Sequence, residues 1–129
     1  MRIKHKIRVH IADDTDMKNL RFAPDDSLSE VQIDTYTKQT NGDFTVSAAT
    51  KEELALGDIT AAKGLYLEVN KDAKVYLNGD VTPIQLRRGN STTTSKAKLF
   101  VEADISKVEV EAGTDEVTGL YAVWGDASA

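Results

Sequence analysis

The sequence contains no cysteine and only two histidines among its 129 residues. The absence of cysteine excludes a disulfide framework, a thiolate nucleophile and a zinc site with cysteine ligands. His5 and His10 have an odd separation and therefore fall on opposite faces of a regular strand, where they cannot chelate one metal ion. We therefore expect neither a metal nor another cofactor.

The sequence motifs of common enzymes are also absent. The chain has no Gly-x-Ser-x-Gly, no Gly-x-Gly-x-x-Gly and no phosphate-cradling loop with its lysine. Carboxylates are plentiful, but they crowd turns, as at Asp13, Asp14 and Asp16. An ordinary acidic turn is favoured there over a calcium loop, because residues 17–19 do not supply the glycine and further oxygen ligands of such a loop. We expect a protein that is not an enzyme.

Long apolar runs are missing, and the charge is unevenly distributed. No segment has the length of a membrane span or the apolar core of a signal peptide, which predicts a soluble protein made in a cytoplasm without a membrane partner. The formal net charge of −5 argues against a nucleic-acid partner. Residues 1–11 nevertheless carry four basic residues and no acid, whereas the remaining 118 residues carry 12 basic and 21 acidic residues.

Residues 64–86, GLYLEVNKDAKVYLNGDVTPIQL, alternate apolar and polar side chains with the period of two that is typical of half-buried strands. Leu65, Leu67 and Val69 share one face, and Val75 and Leu77 resume it after a turn at 70–72. Asn78-Gly79-Asp80 predicts a second tight turn, because Asn and Gly tolerate positive φ. We expect a three-stranded meander here, with an edge strand after Pro83.

Similar patterns predict strands along most of the chain. They cover residues 1–11, 20–22, 28–39, a strand beginning at Phe44 after a hairpin at 40–43, 97–103, 105–112 and 117–124. Residues 50–59 are interpreted as extended rather than helical, and 87–96 as a mobile loop. Phe100 and Trp124 are the bulkiest core candidates. About nine or ten short strands predict a single all-β domain over 1–129, a two-sheet antiparallel sandwich of jelly-roll or Greek-key type.

Residues 1–11, MRIKHKIRVHI, place apolar residues on one face and Arg2, Lys4, Lys6, Arg8 and His10 on the other. One interpretation is an edge strand whose basic row prevents aggregation. The other is a pairing strand or arm that lies on an acidic neighbouring subunit. These five residues, with Arg87 and Arg88 beside the polar loop, are the candidate partner-binding residues.

Three stretches carry a resemblance to a known group of proteins: the segment 64–86, KLFVEADISKVEVEAG and GLYAVWGD. Over residues 53–126 the sequence resembles small all-β virion proteins of tailed bacteriophages. The resemblance implies a non-enzymatic capsid decoration (cement) protein, or a neck or tail accessory subunit, that is made in the host cytoplasm and located in the virion. It also implies a homo-oligomer, often a trimer, bound to the major capsid protein or another virion protein.

A second interpretation is a carbohydrate- or ligand-binding β-sandwich module. Such a module would use exposed aromatic side chains, for which Tyr36, Tyr66, Tyr76 and Tyr121 are the candidates. Because sugar-binding platforms present clustered aromatic rings, this interpretation requires these tyrosines to lie close together.

Overall fold

The structure, a computed structural model, describes residues 1–6, 11–16, 18–22, 32–90 and 96–127. These residues form strands β1 (Arg2–His5), β2 (Ile11–Ala12), β3 (Leu20–Phe22), β4 (Gln32–Thr35), β5 (Lys38–Val46), β6 (Lys51–Leu54), β7 (Ala61–Val69), β8 (Ala73–Leu77), β9 (Ile84–Leu86), β10 (Ala97–Ile105), β11 (Val108–Ala112) and β12 (Val117–Asp126). Within the described residues, no helix has the length and apolar character needed to cross a bilayer. The chain divides into two compact units, Met1–Thr35 and Tyr36–Ala129.

The first unit contains two small antiparallel sheets, β1-β4 and β2-β3. In β1, Arg2 lies opposite Thr35 and His5 lies opposite Gln32. Exposed and half-buried residues alternate along β1, as the sequence predicts. β1 ends at His5 and Lys6 lies outside any strand, while residues 7–10 of the predicted strand fall outside the described residues.

The acidic segment before β3 is ordered by hydrogen bonds from its own backbone N–H groups. Asp14 accepts hydrogen bonds from the backbone N–H groups of Lys18 and Asn19, at 2.8 Å for Asn19. These hydrogen bonds, the one from Asn19 first, lower the pKa of the Asp14 carboxyl. The segment is therefore an acidic turn that is stabilised by hydrogen bonds within it.

The second unit consists of two four-stranded antiparallel sheets packed together. Sheet I has the strand order β10-β7-β12-β5, and sheet II has the order β6-β11-β8-β9. Alternate residues of both sheets face each other and build the core, whose fully buried members include Leu65, Leu67, Val75, Val110 and Val123. Burial of this apolar surface stabilises the unit by about 25 cal/mol per Å². The predicted two-sheet antiparallel all-β architecture is therefore confirmed.

The alternation predicted for residues 64–86 is confirmed in β7 and β8 but not in β9, where Ile84 is exposed, and the predicted meander is wrong. Leu65, Leu67 and Val69 are buried in the core. However, β7 belongs to sheet I and β8 to sheet II, so the turn at 70–72 carries the chain from one sheet to the other. Asn70 anchors this turn to β12: its side-chain carbonyl accepts the N–H of Thr118 at 2.9 Å, and its own N–H donates to the Thr118 carbonyl at 3.0 Å.

The turn after β8 follows its prediction. Asn78 and Gly79 have φ values of 58° and 72°, and the N–H of Asp80 donates to the carbonyl of Leu77 at 3.0 Å. A turn with positive φ at both central residues matches the right-handed twist of the two strands that it joins, here β8 and β9. Pro83 precedes β9, which lies at the edge of sheet II as expected.

The hairpin predicted at residues 40–43 is wrong. These residues lie inside β5, which pairs with β12 at nine consecutive positions, from Lys38 opposite Gly125 to Val46 opposite Val117. Gly42 is not among the positive-φ glycines. The long partner strand pairs with β5 along its whole length, and this pairing outweighs the local turn preference of Asn and Gly.

Two further predictions are modified. Residues 51–54 form β6, which confirms extended structure in the first part of the segment 50–59, whereas residues 57–58 form a turn. The predicted strand 28–39 is interrupted after Thr35, and the N–H and hydroxyl of Thr37 both donate to Asp126 Oδ1, at 3.1 and 3.0 Å. Residues 28–31 of that strand and 91–95 of the predicted mobile loop lie outside the described residues.

Candidate functional site

Three of the basic side chains predicted at the N-terminus lie in β1 or directly after it. Arg2 and Lys4 in β1 are exposed, as is Lys6 directly after it, whereas Ile3 and His5 are half-buried. Within the described part of the chain, β1 pairs with β4 alone, so it has a second edge. We call Arg2, Lys4 and Lys6 the basic row; Arg8 and His10 of the prediction lie outside the described residues. A row of this kind attracts acidic surfaces.

Arg87 and Arg88 lie in the second unit, where they fasten the end of β9 to the turn at 70–72. Arg87 Nη1 is 3.3 Å from Asp72 Oδ2, and the backbone N–H of Arg88 donates to Asp72 Oδ1 at 2.7 Å. The N–H of Arg88, and after it the guanidinium of Arg87, lower the pKa of the Asp72 carboxyl. Arg88, Lys71, Asp72 and Asp115 also line an open polar depression of about 480 Å³. Arg87 therefore contacts Asp72 through its side chain, and Arg88 contacts it through its backbone.

An aromatic cluster, formed by Tyr66, Phe100 and Trp124, lies on the outer face of sheet I, the face turned away from the core. Trp124 lies opposite Gly64 in register, and a Cβ on Gly64 would be 2.1 Å from the indole ring. The Phe100 and Trp124 ring centroids are 6.1 Å apart, and Phe100 lies opposite Tyr66. Trp124 is 6% exposed yet does not belong to the core cluster between the sheets.

The prediction that Trp124 is a core residue is confirmed by its burial, although it lies outside the core cluster between the sheets, whereas Phe100 is half-buried. Val123, the neighbour of Trp124, faces that core, and alternation turns Trp124 to the other side. Gly64 leaves the space that the indole ring occupies. Sequence reasoning missed the cluster because its three residues come from three strands whose register the sequence does not show. The one signal in the sequence for this cluster was the presence of an aromatic residue at each of these outward-facing positions.

The polar side of the aromatic cluster is ordered by Glu68. Its carboxylate accepts a hydrogen bond from the Tyr66 hydroxyl at 2.8 Å and lies 3.1 Å from Lys96 Nζ. The Tyr66 hydroxyl first, and then Lys96, lower the pKa of Glu68. Partial burial, with the hydrogen bond to Glu68, raises the pKa of Tyr66 to about 12. Beside them Leu120 is 40% exposed.

The outer face of sheet II has a different chemistry, because its charges satisfy one another. Tyr76 donates to Glu111 Oε1 at 2.8 Å, and Lys51 Nζ lies 3.8 Å from the centroid of the Tyr76 ring. Lys51 and Lys107 each lie 3.8 Å from a Glu109 oxygen. Such pairs contribute little to stability, because solvent screens charges on an exposed sheet face.

The four tyrosines of the ligand-binding interpretation do not form one platform. Tyr121 is buried in the core, where its hydroxyl donates to the Ala55 carbonyl at 2.8 Å and its ring packs edge-on against Phe44. Tyr66 and Tyr76 lie on the outer faces of different sheets. Among the described residues, no group of three or more His, Asp or Glu side chains is arranged to hold a metal ion.

The basic row is chemically suited to contact with another macromolecule, because basic side chains attract acidic partners. Trp124 is 6% exposed, so the aromatic cluster offers little free surface. Comparison of the chain with known proteins finds no matching family model, no matching curated protein and no matching solved structure.

Proposed function

We propose that this chain is a non-enzymatic structural protein of a phage virion, namely a capsid decoration (cement) subunit that binds and stabilises the assembled shell. Its partner is the major capsid protein or another virion protein. It acts as a homo-oligomer, for which the resemblance implies a trimer, and its sandwich is of the jelly-roll or Greek-key type. The observation that carries the proposal is the basic row on β1, which is exposed on a strand with a second edge.

Binding would combine strand pairing with charge complementarity. The backbone groups on the second edge of β1 join a sheet of the neighbouring subunit, while Arg2, Lys4 and Lys6 meet its carboxylates. Each contact of this kind is weak on its own. Many copies on a symmetric lattice add avidity, which stabilises the shell without any new contact within a subunit.

Reversal of the charge of the basic row tests the proposal. We expect Arg2→Glu with Lys4→Glu and Lys6→Glu to weaken binding to shells by at least about tenfold, because the attraction becomes repulsion. The control carries the same charge change on exposed lysines of the second unit, Lys71→Glu with Lys74→Glu and Lys98→Glu. The measurement is co-sedimentation with shells of the encoding phage prepared without this chain.

The outcomes separate the alternatives. Loss of binding in the basic-row variant alone supports the proposal, whereas an equal loss in both variants would show a general charge effect instead. Wild-type chain that never sediments with shells contradicts the decoration role. Counting the copies per purified virion by quantitative mass spectrometry then distinguishes a subunit spread over the shell from a neck or tail accessory subunit at one position.

A further inference from the structure

β5 is a long strand that pairs on one side only within the described residues. It lies at the end of sheet I and, among the described strands, pairs only with β12. All nine of its residues, Lys38–Val46, pair with β12 in unbroken register. The opposite side therefore presents a straight row of backbone N–H and C=O groups, which is a template for a further strand.

The other three edges of the two sheets carry features that discourage pairing. β9 has three residues and follows Pro83, and β6 has four residues, of which Lys51, Glu52 and Glu53 are charged. β10 is as long as β5, but its register shifts between Glu102 and Ile105. Short strands, proline, charge and irregular register are the usual protections of a sheet edge. Because β5 has no proline and no register shift, it is the edge best suited to bind a strand.

The sequence of β5 is complementary to itself. Two antiparallel copies of β5 can be related by a two-fold axis perpendicular to the sheet, which places core-facing residues opposite core-facing residues. If this axis passes through Gly42, all nine residues of one copy lie opposite the nine residues of the other. Asn41 then lies opposite Asp43 twice, which places an amide donor beside a carboxylate. Nothing lies within 4 Å of the Cβ position of Gly42, so the axis itself is open. With Asp43 on the axis instead, two carboxylates would oppose each other.

We propose that β5 pairs with β5 of a second copy of this chain, antiparallel about Gly42, so that two copies of sheet I form one eight-stranded sheet. The inference goes beyond the proposed function, because this pairing needs neither a shell nor the basic row. It names a two-fold interface, which is distinct from the trimer that the resemblance implies.

Light scattering coupled to size-exclusion chromatography, over a concentration series of the full chain, tests the pairing. We expect a dimer whose dissociation constant rises about tenfold in Asn41→Asp, because carboxylates then oppose each other twice. Combining Asn41→Asp with Asp43→Asn exchanges the two partners and should restore the wild-type constant. Asn90→Asp makes the same charge change on an exposed residue outside β5 and should leave it unchanged.

Three results would overturn the inference. They are a wild-type monomer at every concentration, a wild-type trimer, and a dimer that Asn41→Asp does not weaken. Failure of the double variant to recover dimerisation, with its circular dichroism unchanged, would also count against the register. None of these results depends on shell binding, so the pairing and the decoration role fail or succeed separately.

Discussion

Tyr66 and Glu68 form a side-chain pair on the outer face of sheet I whose strength depends on pH. The hydroxyl of Tyr66 donates to Glu68, and this bond lowers the pKa of the Glu68 carboxyl. A carboxyl whose pKa is lower in the folded state stabilises the fold above its unfolded pKa, and that stabilisation is lost as the pH falls through the folded value. The pair therefore stabilises the protein at neutral pH and not in acid.

We expect Tyr66→Phe to lower the free energy of unfolding by about 1 kcal/mol at neutral pH, because Glu68 loses a hydrogen-bond donor. The difference between variant and wild type should shrink in acid, as the pH falls through the lowered pKa of the Glu68 carboxyl. Urea unfolding at the two pH values measures both differences. An equal loss at both would attribute the effect to packing of the ring rather than to the hydrogen bond.

At the scale of elements, the outer face of sheet I depends on β7 and β12 lying side by side with Gly64 opposite Trp124. We expect Gly64→Ala to destabilise the protein by about 1–3 kcal/mol, because the new methyl group would overlap the indole ring and force it to move. The measurement is urea unfolding followed by the fluorescence of Trp124, the single tryptophan. Its emission should also change in the folded state.

Gly113→Ala is the matched control for that substitution. Gly113 has open space at its Cβ position and is not among the positive-φ glycines, so alanine should be tolerated to within about 0.5 kcal/mol. If both substitutions were equally mild, the indole ring would not rest on Gly64, and the aromatic cluster would have a different arrangement.

The elements also show where sequence reasoning succeeds and where it fails. The alternation in β7 and β8 predicts their inward residues correctly, because it is a property of the extended backbone itself. The turn signal at residues 40–43 fails, since it is a local preference that pairing with a long neighbouring strand overrides. The same kind of signal at Asn78-Gly79 succeeds, because there both residues adopt positive φ.

At the scale of the whole molecule, the hydrophobic core belongs to one of the two compact units. Every residue of the core cluster lies between Val46 and Val123, inside the unit Tyr36–Ala129. We therefore expect residues 36–129 alone to fold and to unfold in one cooperative transition, because every residue of the core cluster belongs to them. Circular dichroism and urea unfolding of the truncated chain, beside the full chain, measure this.

The truncated chain also connects to the two proposals. It lacks the basic row and should not bind shells, but it retains β5 and should still dimerise. A truncated chain without a cooperative transition would show that the core cluster is insufficient for folding, and the two-unit organisation would then need revision.

The candidate surfaces were predictable to different degrees. The basic row follows from the sequence, because charge and alternation are both visible within residues 1–6. Arg87 and Arg88 were named for their charge, and only the structure shows that the Arg87 side chain and the Arg88 backbone contact Asp72. The aromatic cluster could not be predicted, since Tyr66, Phe100 and Trp124 meet only through the register of three strands.

The sequence by itself determined that this chain is a β protein, which faces of its main strands turn inward, and that its first 11 residues carry basic charge without acidic charge. These are local properties, set by the period of two of the extended backbone and by the order of residues. Only the tertiary structure decided that β7 and β8 belong to different sheets, that β5 is continuous, and that Trp124 lies over Gly64. Strand pairing joins residues far apart in the chain, and alternation alone does not specify which strands will meet.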